Sequence, residues 1–265
     1  MKIAVAGKGG VGKTTVAGTL ARLLGRDGLK ILAVDADPSY TLWTSLGIPA
    51  DIAKKIVPLT QNETLVKERL KIEGAESYSG FFKLNPRVDD LSSKFAVQGP
   101  DNVSLLVAGT VDTGGSGCMC PSATLLKSLM RHLVLGTDEA FVMDMDAGIE
   151  NLGRGTTRGI DALLVVTEPG RRSLEILTKI RTLAGDIDVG RIFAVGNKVT
   201  SSADAQMIKE WVEREGLSLL GSIPLDDVIK EADRRGVAPL DLDSNSTGMR
   251  AIAEIKERLV KQINR

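Results

Sequence analysis

The sequence is poor in cysteine, histidine and aromatic residues, and it has no long hydrophobic run. Its 265 residues include two cysteines and one histidine, and Phe, Trp and Tyr together make up 3%. Two cysteines cannot build a disulfide scaffold, and so few aromatics disfavour a protein that stacks nucleic-acid bases. No apolar run reaches the roughly 18 residues that a membrane helix requires, and residues 3–6 are too short for a signal-peptide core. We therefore expect a cytoplasmic protein with no membrane partner.

The charges of the chain balance, because Lys plus Arg number 34 and Asp plus Glu also number 34. A formal net charge of zero gives no basic excess to attract nucleic acid, so we expect no nucleic-acid partner. Glycine is abundant, with 28 residues, and the hydrophobic fraction is 43%. This composition is typical of a globular protein with many tight turns.

Apolar segments alternate with helical patterns along most of the chain. Predicted strands cover residues 2–6, 30–35, 103–108, 140–145, 162–167, 191–196 and 218–223. Predicted helices cover residues 13–26, 122–135, 172–184, 204–215, 225–235 and 244–264. Several strands are apolar on both faces, as in strands buried between two helix layers. The order predicts an α/β fold: one domain, residues 1–265, with a mostly parallel β-sheet flanked by helices on both faces.

Residues 41–100 interrupt the alternation. The segment is polar, and its helical patterns at 53–56 and 62–72 are weak. Tyr78, Phe81 and Phe82 place three aromatic residues within five positions. We interpret the segment as a helical insertion, in which the aromatic group either packs as an ordinary plug or serves a partner-docking element.

A glycine-rich loop follows the first predicted strand and opens the first predicted helix. Residues 7–15 read GKGGVGKTT, which fits the phosphate-loop pattern G-x-x-x-x-G-K-[ST] in its required context. Glycines let the backbone wind around a phosphate, and the helix start favours an anion. We expect Lys13 to reach the β- and γ-phosphates and Thr14 to bind Mg²⁺, which predicts a P-loop NTPase. The residues expected to bind ATP or ADP in this loop are Gly9, Gly10, Val11, Gly12, Lys13, Thr14 and Thr15.

The loop carries a second lysine, Lys8, near its start. With Lys8 the nonapeptide resembles the deviant phosphate loop of the MinD/ParA/nitrogenase-iron-protein class. In that class this lysine crosses a dimer interface and touches the nucleotide of the partner subunit. The resemblance implies a homodimer that forms when nucleotide binds, since attraction between lysine and triphosphate favours the paired state. A solvent-exposed lysine without that role is the alternative.

Two acidic segments resemble the switches of the same class. Residues 34–38, VDADP, resemble the first switch, and residues 143–150, MDMDAGIE, resemble the second. The resemblance implies that Asp37 positions or deprotonates the attacking water, that Asp35 helps to organise Mg²⁺, and that Asp144 takes the Walker-B position. Lys8, Lys13, Asp37 and Asp144 are then the catalytic candidates. Capping of the helix that follows a strand is the alternative role for such aspartates.

The predicted strand 191–196 is followed by Asn197, Lys198, Val199 and Thr200. This run resembles the N-K-x-D loop of guanine-specific relatives, in which the aspartate accepts hydrogen bonds from two donors on the guanine edge. A single Thr200 hydroxyl cannot replace that carboxylate, whereas Asn197 can pair with the N6/N7 edge of adenine. We expect Asn197 and Lys198 to contact the nucleotide, and we expect ATP rather than GTP.

The two cysteines, Cys118 and Cys120, lie in a segment that reads GGSGCMCP from residue 114. In an extended segment both sulfurs face the same side, and a nearby helix start favours the metal-binding thiolate. Two ligands from each of two chains would complete a four-thiolate site. Two buried structural cysteines or a redox pair are alternatives, and thiolates alone do not distinguish nickel from zinc, copper or an iron–sulfur cluster.

The combination of the deviant loop, the second switch followed by Arg154, Gly155 and Thr156, and the G-C-x-C-P segment resembles the family of CooC-type nickel-dependent ATPases. The resemblance covers essentially the whole chain. It implies that Cys118 and Cys120 bind Ni²⁺ between two subunits, where Zn²⁺ could take its place. It also implies an ATPase that is slow without its partner and that helps to insert nickel into the active-site cluster of carbon monoxide dehydrogenase.

Three other functions remain open at the level of sequence. One is a MinD/ParA-like positioning ATPase, although the glutamates of the last predicted helix dilute the cationic face that a membrane-surface helix needs. Another is an iron–sulfur cluster carrier or reductase of the nitrogenase-iron-protein kind, in which the four cysteines of a dimer hold a cluster. The last is a nickel GTPase, which Thr200 and the single histidine disfavour.

Overall fold

A computed structural model of the protein describes residues 1–70, 90–109, 128, 136–145, 159–186, 189 and 191–264. Its strands are β1 (Lys2–Gly7), β2 (Lys30–Ala36), β3 (Val97–Gln98), β4 (Val103–Val107), β5 (Glu139–Met145), β6 (Ala162–Thr167), β7 (Ile192–Val199) and β8 (Ser218–Pro224). Its helices are α1 (Lys13–Arg26), α2 (Leu42–Leu46), α3 (Ala50–Ala53), α4 (Glu63–Leu70), α5 (Leu91–Phe95), α6 (Arg171–Asp186), α7 (Ser202–Arg214), α8 (Asp227–Arg235), α9 (Pro239–Leu242) and α10 (Thr247–Ile263), and a 3₁₀ turn covers Leu59–Gln61.

The strands of the described residues form one eight-stranded sheet in the order β3-β4-β2-β5-β1-β6-β7-β8. Every neighbouring pair is parallel except β3 with β4, which is antiparallel at the edge. Strand β1 lies between β5 and β6, so the loop after β1 emerges near the middle of the sheet. The predicted fold class, a mostly parallel sheet with helices on both faces, is confirmed.

Side chains of alternate strand residues enter two separate cores. In β1, Ala4 and Ala6 face one core and Ile3 and Val5 face the other, and all four are buried. Helices α6 and α7 cover the first face, while α1 and α10 cover the second. Burial on both sides explains why these strands are apolar at consecutive positions rather than at alternate ones.

The last residues of β7 correct one sequence expectation. The strand was expected to end at residue 196, with Asn197 and Lys198 in a following loop, but pairing continues to Val199, which lies opposite Pro224. A register shift between Gly196 and Val199 allows this extension, and Lys198 has a φ of 57°. The bulge keeps the polar Asn197 and Lys198 within a strand, against the apolar pattern used to place the boundary.

Side-chain caps set several helix starts differently from the predicted bounds. Ser201 and Asp204 form a reciprocal capping box, so α7 begins at Ser202 rather than at residue 204. Asp226 caps α8 and Ser246 caps α10, each through a hydrogen bond from a backbone N–H of the first turn. These helices therefore begin two and three residues later than their apolar periodicity suggested.

Within the interrupting segment, the helix expected at residues 53–56 is instead α3, because the turn starts directly after Pro49. The pattern at 62–72 corresponds to α4 within the described residues. The segment also contains α2, α5 and the edge strand β3, so it is less purely helical than expected. Tyr78, Phe81 and Phe82 lie outside the described residues.

Other sequence predictions also fall outside the described part of the chain. They are Cys118 and Cys120, the second-switch residues after Met145, the segment 154–156 and most of the helix predicted at 122–135. Within that helix Ser128 is described, and it is helical and buried. No helix in the described ranges combines the length and apolar character needed to cross a bilayer.

Candidate nucleotide-binding site

The site lies at the carboxyl ends of three adjacent central strands, β1, β2 and β5. Asp35 of β2 lies directly opposite Asp144 of β5, and Asp144 is also in register with Val5 of β1. In a parallel sheet all strands end at the same edge, which is where α/β proteins bind their ligands. Register therefore brings together residues that are more than a hundred positions apart in the sequence.

Glycines give the phosphate loop its shape. Gly10 and Gly12 have φ values of 79° and 92°, in the left-handed region that glycine adopts at little cost. A side chain on Gly12 would also overlap the Asn197 amide, so the loop and β7 are in close contact there. Gly12 is the last residue before α1, whose backbone N–H groups therefore open onto the concave side of the loop.

Lys13 is the first residue of α1 and is 5% exposed. Its Nζ donates to the carbonyl of Lys8 at 3.4 Å, across the loop. No carboxylate in the described part of the chain forms an ion pair with it, so a buried positive charge lies under the loop. A buried charge of this kind is costly unless an anion is supplied.

Asn197 connects β7 to the phosphate loop. Its Nδ2 donates to the carbonyl of Val11 at 2.7 Å, and its Oδ1 accepts from the backbone N–H of Lys198 at 2.9 Å. Asn197 and Val11 are both buried. In this arrangement Asn197 supports the loop from behind, which sequence reasoning about the nucleotide base did not anticipate.

Asp144 and Thr14 form the floor of the site. The Thr14 hydroxyl donates to Asp144 Oδ2 at 2.6 Å, while Asp144 Oδ1 is buried with no hydrogen-bond partner among the described residues. Burial raises the pKa of Asp144 to about 8, with the Thr14 hydrogen bond acting in the opposite direction. An orphaned, buried carboxylate oxygen beside a hydroxyl is an oxygen-rich pair of the type that Mg²⁺ prefers.

Asp35 is fully buried and organises the loop between β2 and α2. Its Oδ2 accepts from the N–H of Leu42 at 2.9 Å and its Oδ1 from the N–H of Asp37 at 3.1 Å. Burial raises the pKa of Asp35 to about 6, and the two backbone hydrogen bonds partly oppose that rise. The contacts of Asp35 are therefore with the backbone that carries Asp37.

Asp37 lies in this loop, and its Oδ1 accepts from the backbone N–H and the hydroxyl of Ser39, at 2.9 and 2.5 Å. Together with the phosphate loop it lines a cavity of about 680 Å³, a size that fits a nucleotide. The predicted residues that line this cavity are Gly9, Gly10, Gly12, Lys13, Thr14, Thr15, Asp37, Asn197 and Lys198. Lys8, Val11, Asp35 and Asp144 lie beside it.

Two features of the site were missed by sequence reasoning. The apolar residues Ile223, Leu225 and Ile229 form a wall that lines the same cavity as the loop, and Leu225 is 43% exposed. An exposed leucine at the start of a predicted helix gives no signal of this role. Glu168, after β6, pairs with Lys8 and Lys198 at 3.3 and 3.5 Å, a contact that the fold alone creates.

In the described residues, no group of three or more His, Cys, Asp or Glu side chains is placed to hold a metal ion. Asp35 and Asp144 lie opposite each other in the sheet, but they bind different partners. Asp35 accepts from the backbone N–H of Leu42, and Asp144 accepts from the Thr14 hydroxyl. The structure therefore gives the two aspartates distinct surroundings, which the sequence motifs do not separate.

The CobQ/CobB/MinD/ParA nucleotide-binding domain model matches residues 2–240 of the sequence. The chain belongs to this family. Among its relatives, the carbon monoxide dehydrogenase accessory protein CooC of Rhodospirillum rubrum is 42% identical over 243 residues, which span 91% of this chain and 90% of CooC. Both resemblances drawn from the sequence, to the MinD/ParA class and to CooC, are thereby confirmed.

Other similar proteins have names that describe different activities. An uncharacterized ATP-binding protein of Methanocaldococcus jannaschii is 39% identical over 265 residues, covering 100% of this chain and 99% of its own length. An iron–sulfur cluster carrier protein of Pyrococcus abyssi is 26% identical over 276 residues, 99% of this chain and 86% of the carrier. The chain is thus a P-loop protein of a family with ATP-binding members.

Solved structures of the family share the fold. The cell division ATPase MinD of Pyrococcus furiosus superposes with a TM-score of 0.69 at 23% identity, covering 98% of each chain. MinD of Pyrococcus horikoshii, in complex with Mg-ADP, has a TM-score of 0.67 at 22% identity over 99% of this chain and 97% of that one. At these identities the similarity shows the fold alone.

Proposed function

We propose that the protein is an ATP-hydrolysing, nucleotide-dependent dimeric metallochaperone. In this proposal it binds nickel as cargo through Cys118 and Cys120 and helps to insert it into the active-site cluster of carbon monoxide dehydrogenase. The observation that carries the proposal is the 42% identity to the accessory protein CooC over 91% of the chain, in a sequence that has a C-x-C pair and the deviant phosphate loop.

The buried charge of Lys13 supports ATP as the substrate. A triphosphate placed against the loop would meet the amides that open α1 and would supply the anion that Lys13 lacks among the described residues. The apolar wall of Ile223, Leu225 and Ile229 would then accept the base. Asn197 has a second amide hydrogen besides the one it donates to Val11, which keeps adenine pairing open to it.

The residues on the floor of the site fit Mg²⁺. Thr14 and Asp144 would hold the ion, with Asp35 fixing the neighbouring turn, because the free Asp144 oxygen and the Thr14 hydroxyl are hard oxygen ligands. When bound, the ion would supply charge neutralisation at the phosphate oxygens. Lys13, whose ammonium group also lies against the loop, would share that role.

Asp37 is the candidate for orienting the attacking water. It lines the cavity on a loop whose position is set by the two hydrogen bonds to Asp35. Because Ser39 holds one of its oxygens, Asp37 is kept in a defined orientation before substrate arrives. Positioning of this kind is the main contribution that proteins make to phosphoryl transfer.

Lys8 and the cysteines connect nucleotide to cargo in the proposed dimer. Lys8 is on the rim of the loop with its side chain 35% exposed, in reach of a second copy. A two-fold pairing would bring together two cysteines from each chain, giving four thiolates for one Ni²⁺. Hydrolysis or client docking would then open the pair and release the metal, so that metal affinity and nucleotide state depend on each other.

A second candidate function is transport of an iron–sulfur cluster. It is favoured by the similarity to iron–sulfur cluster carrier proteins over 99% of the chain. The same four cysteines would ligate the cluster in that case. A positioning ATPase has weaker support, because the MinD and ParA structures are similar at the level of the fold.

The test compares metal content after anaerobic reconstitution with Ni²⁺, Zn²⁺ or iron and sulfide. We expect one Ni²⁺ per dimer in the wild type, and loss of the metal with unchanged ATP binding in the Cys118→Ala/Cys120→Ala double variant. A matched control is Ser116→Ala/Ser122→Ala, which leaves both thiols in place and should keep the metal. A visible-absorbing cluster instead of nickel would favour the carrier, and unchanged nickel in the cysteine variant would reject the thiolate site.

A further inference from the structure

Glu168 lies at the rim of the phosphate loop and faces two lysines. Its Oε1 is 3.3 Å from Lys8 Nζ, and its Oε2 is 3.5 Å from Lys198 Nζ. Lys198 Nζ also donates to the carbonyl of Gly10 at 2.5 Å. One carboxylate therefore connects the lysine at the start of the loop to the bulge at the end of β7.

The backbone of Glu168 is held in place. Its N–H donates to the Ser173 hydroxyl at 3.1 Å, and that hydroxyl is 3.0 Å from the hydroxyl of Thr167. Thr167 and Ser173 are both buried. The backbone of Glu168 is thus anchored to β6 and to the first turn of α6, which limits how far its carboxylate can follow Lys8 when the lysine moves toward another anion.

The pair between Lys8 and Glu168 is suited to being broken. The two side chains are 35% and 26% exposed, so solvent screens their attraction, and pairs of this kind shift an equilibrium by about five-fold at most. A triphosphate carries more negative charge than one carboxylate and competes for the same ammonium group. When Lys8 leaves, Glu168 still has Lys198 beside it, which lowers the cost of separation.

We propose that Glu168 is a positioning residue that holds Lys8 within its own subunit until a triphosphate draws the lysine away. In a chain without nucleotide, Glu168 therefore opposes pairing with a second copy. This inference rests on the proposed function, in which Lys8 reaches the nucleotide of the partner. It names Glu168 as the group that restrains Lys8 before nucleotide binds.

The first experiment measures how accessible Lys8 is in the nucleotide-free protein. We expect Glu168→Gln, which keeps the side-chain shape and removes the charge, to raise the rate of amine labelling at Lys8 about two- to five-fold. Mass spectrometry of the labelled peptides gives the rate, and Lys67, whose partner Glu63 is unchanged, is the internal reference. An unchanged rate at Lys8 would overturn the proposal.

The second experiment measures pairing by light scattering with a non-hydrolysable ATP analogue. We expect the dimer dissociation constant of Glu168→Gln to fall about two- to five-fold below that of the wild type. Glu213→Gln is the matched control, because it removes the same charge from a lysine pair on α7, and it should behave as the wild type does. Faster labelling without tighter pairing would also overturn the proposal.

The outcomes separate this proposal from the function on which it rests. If the wild-type chain stays monomeric with the ATP analogue, the dimeric function is wrong, and the control of pairing by Glu168 is wrong with it. If the wild type pairs normally while Glu168→Gln leaves labelling or pairing unchanged, the assignment of Glu168 alone is wrong.

Discussion

Helix α1 has a buried cation near each of its ends, and the two cations have different partners. At the end near the amino termini of the strands, Arg22 is 2% exposed and pairs with Asp101 at 2.7 Å and Asp241 at 2.8 Å. At the other end, Lys13 is also buried, at 5% exposed, and among the described residues its side chain donates to a backbone carbonyl. The two cations therefore share burial, and what differs among the described residues is the carboxylate partner.

The same contrast holds for a second cation at the amino-terminal edge. Lys256 of α10 is buried and pairs with Asp27 and Glu257, and these pairs raise its pKa although burial, the largest single influence, acts to lower it. At that edge, carboxylates of the chain itself thus compensate the buried positive charges. At the carboxyl-terminal edge the phosphate loop carries its positive charge toward the cavity, where a ligand can provide the compensation.

The strongest test of this contrast is Arg22→Met. We expect the free energy of unfolding to fall by about 2 kcal/mol, because the buried Arg22 loses both ion pairs, while Asp101 keeps Arg26 and Asp241 is half-exposed. ATP affinity of the folded protein should stay within two-fold or so of the wild type, since Arg22 lies away from the cavity. Urea unfolding and calorimetry measure the two quantities. A loss of ATP affinity at full stability would contradict the structural role.

Lys13→Ala should give the reverse result. We expect ATP affinity to fall about 100-fold or more, because the ammonium group makes its strong interactions with phosphate. The free energy of unfolding should change by less than about 1 kcal/mol, since the variant removes a buried charge that has no carboxylate partner in the described chain. Wild-type ATP binding by Lys13→Ala would show that the loop does not bind the phosphates.

Comparison of Gly12→Ala with Gly10→Ala tests whether the contact between the loop and Asn197 affects stability. Both residues have positive φ, so alanine strains the backbone by about 1 kcal/mol at either position. A side chain at Gly12 also meets the Asn197 amide, whereas a side chain at Gly10 meets nothing within 4 Å. We expect Gly12→Ala to lose about 1 kcal/mol more stability than Gly10→Ala. Equal losses, measured by urea unfolding, would mean that the contact with Asn197 is not a constraint.

The smallest effect concerns Asp226, which caps α8 and bonds to the start of α10. Burial acts to raise the pKa of Asp226, but hydrogen bonds from Gly248, Val228, Thr247 and Ser246 outweigh it and hold the pKa below its ordinary value of 3.8. Because the folded-state pKa is the lower one, the ionised group stabilises the fold above pH 3.8 and ceases to do so as the pH falls through the folded-state pKa.

We therefore expect Asp226→Asn to cost about 1 kcal/mol at pH 7, because an NH₂ group replaces one of the two oxygens that accept these hydrogen bonds. The difference from the wild type should shrink as the pH is lowered below 4 or so. Free energies of unfolding of the wild type and the variant, measured at pH 7 and again below pH 4 or so, check this prediction. If the difference between the two proteins is the same under both conditions, the stabilisation by Asp226 does not depend on its charge.

Sequence predicted the residues of the site through their local motifs and missed contacts that join those motifs in the fold. The phosphate loop, the strand before it and α1 follow from nine consecutive residues, and Lys13–Arg26 is the helix that the pattern predicted. The pairing of Asp35 with Asp144 needs the strand order, which places β5 next to β2. Glu168 gave no signal, because its two lysines are about 160 and 30 positions away in the chain.

Where strands and helices begin or end differently from the prediction, the causes are local contacts that the hydrophobic pattern of the sequence does not contain. The bulge at Lys198 extends β7 through two polar residues, and the caps Ser201 and Ser246 fix helix starts through hydrogen bonds. Strand β3 has two residues, too few for a periodic signal. The roles of Cys118 and Cys120 stay predictions, since they lie outside the described residues.

In the proposed function, the affinity of the protein for nickel depends on whether nucleotide is bound. Anaerobic equilibrium dialysis gives the Ni²⁺ affinity of the wild type alone and with a non-hydrolysable ATP analogue, beside Lys8→Ala as the variant that should not couple the two. We expect an affinity that differs between the two states by about five-fold or more in the wild type and that is the same in both states of Lys8→Ala. Equal nickel affinity in both states of the wild-type protein would contradict it.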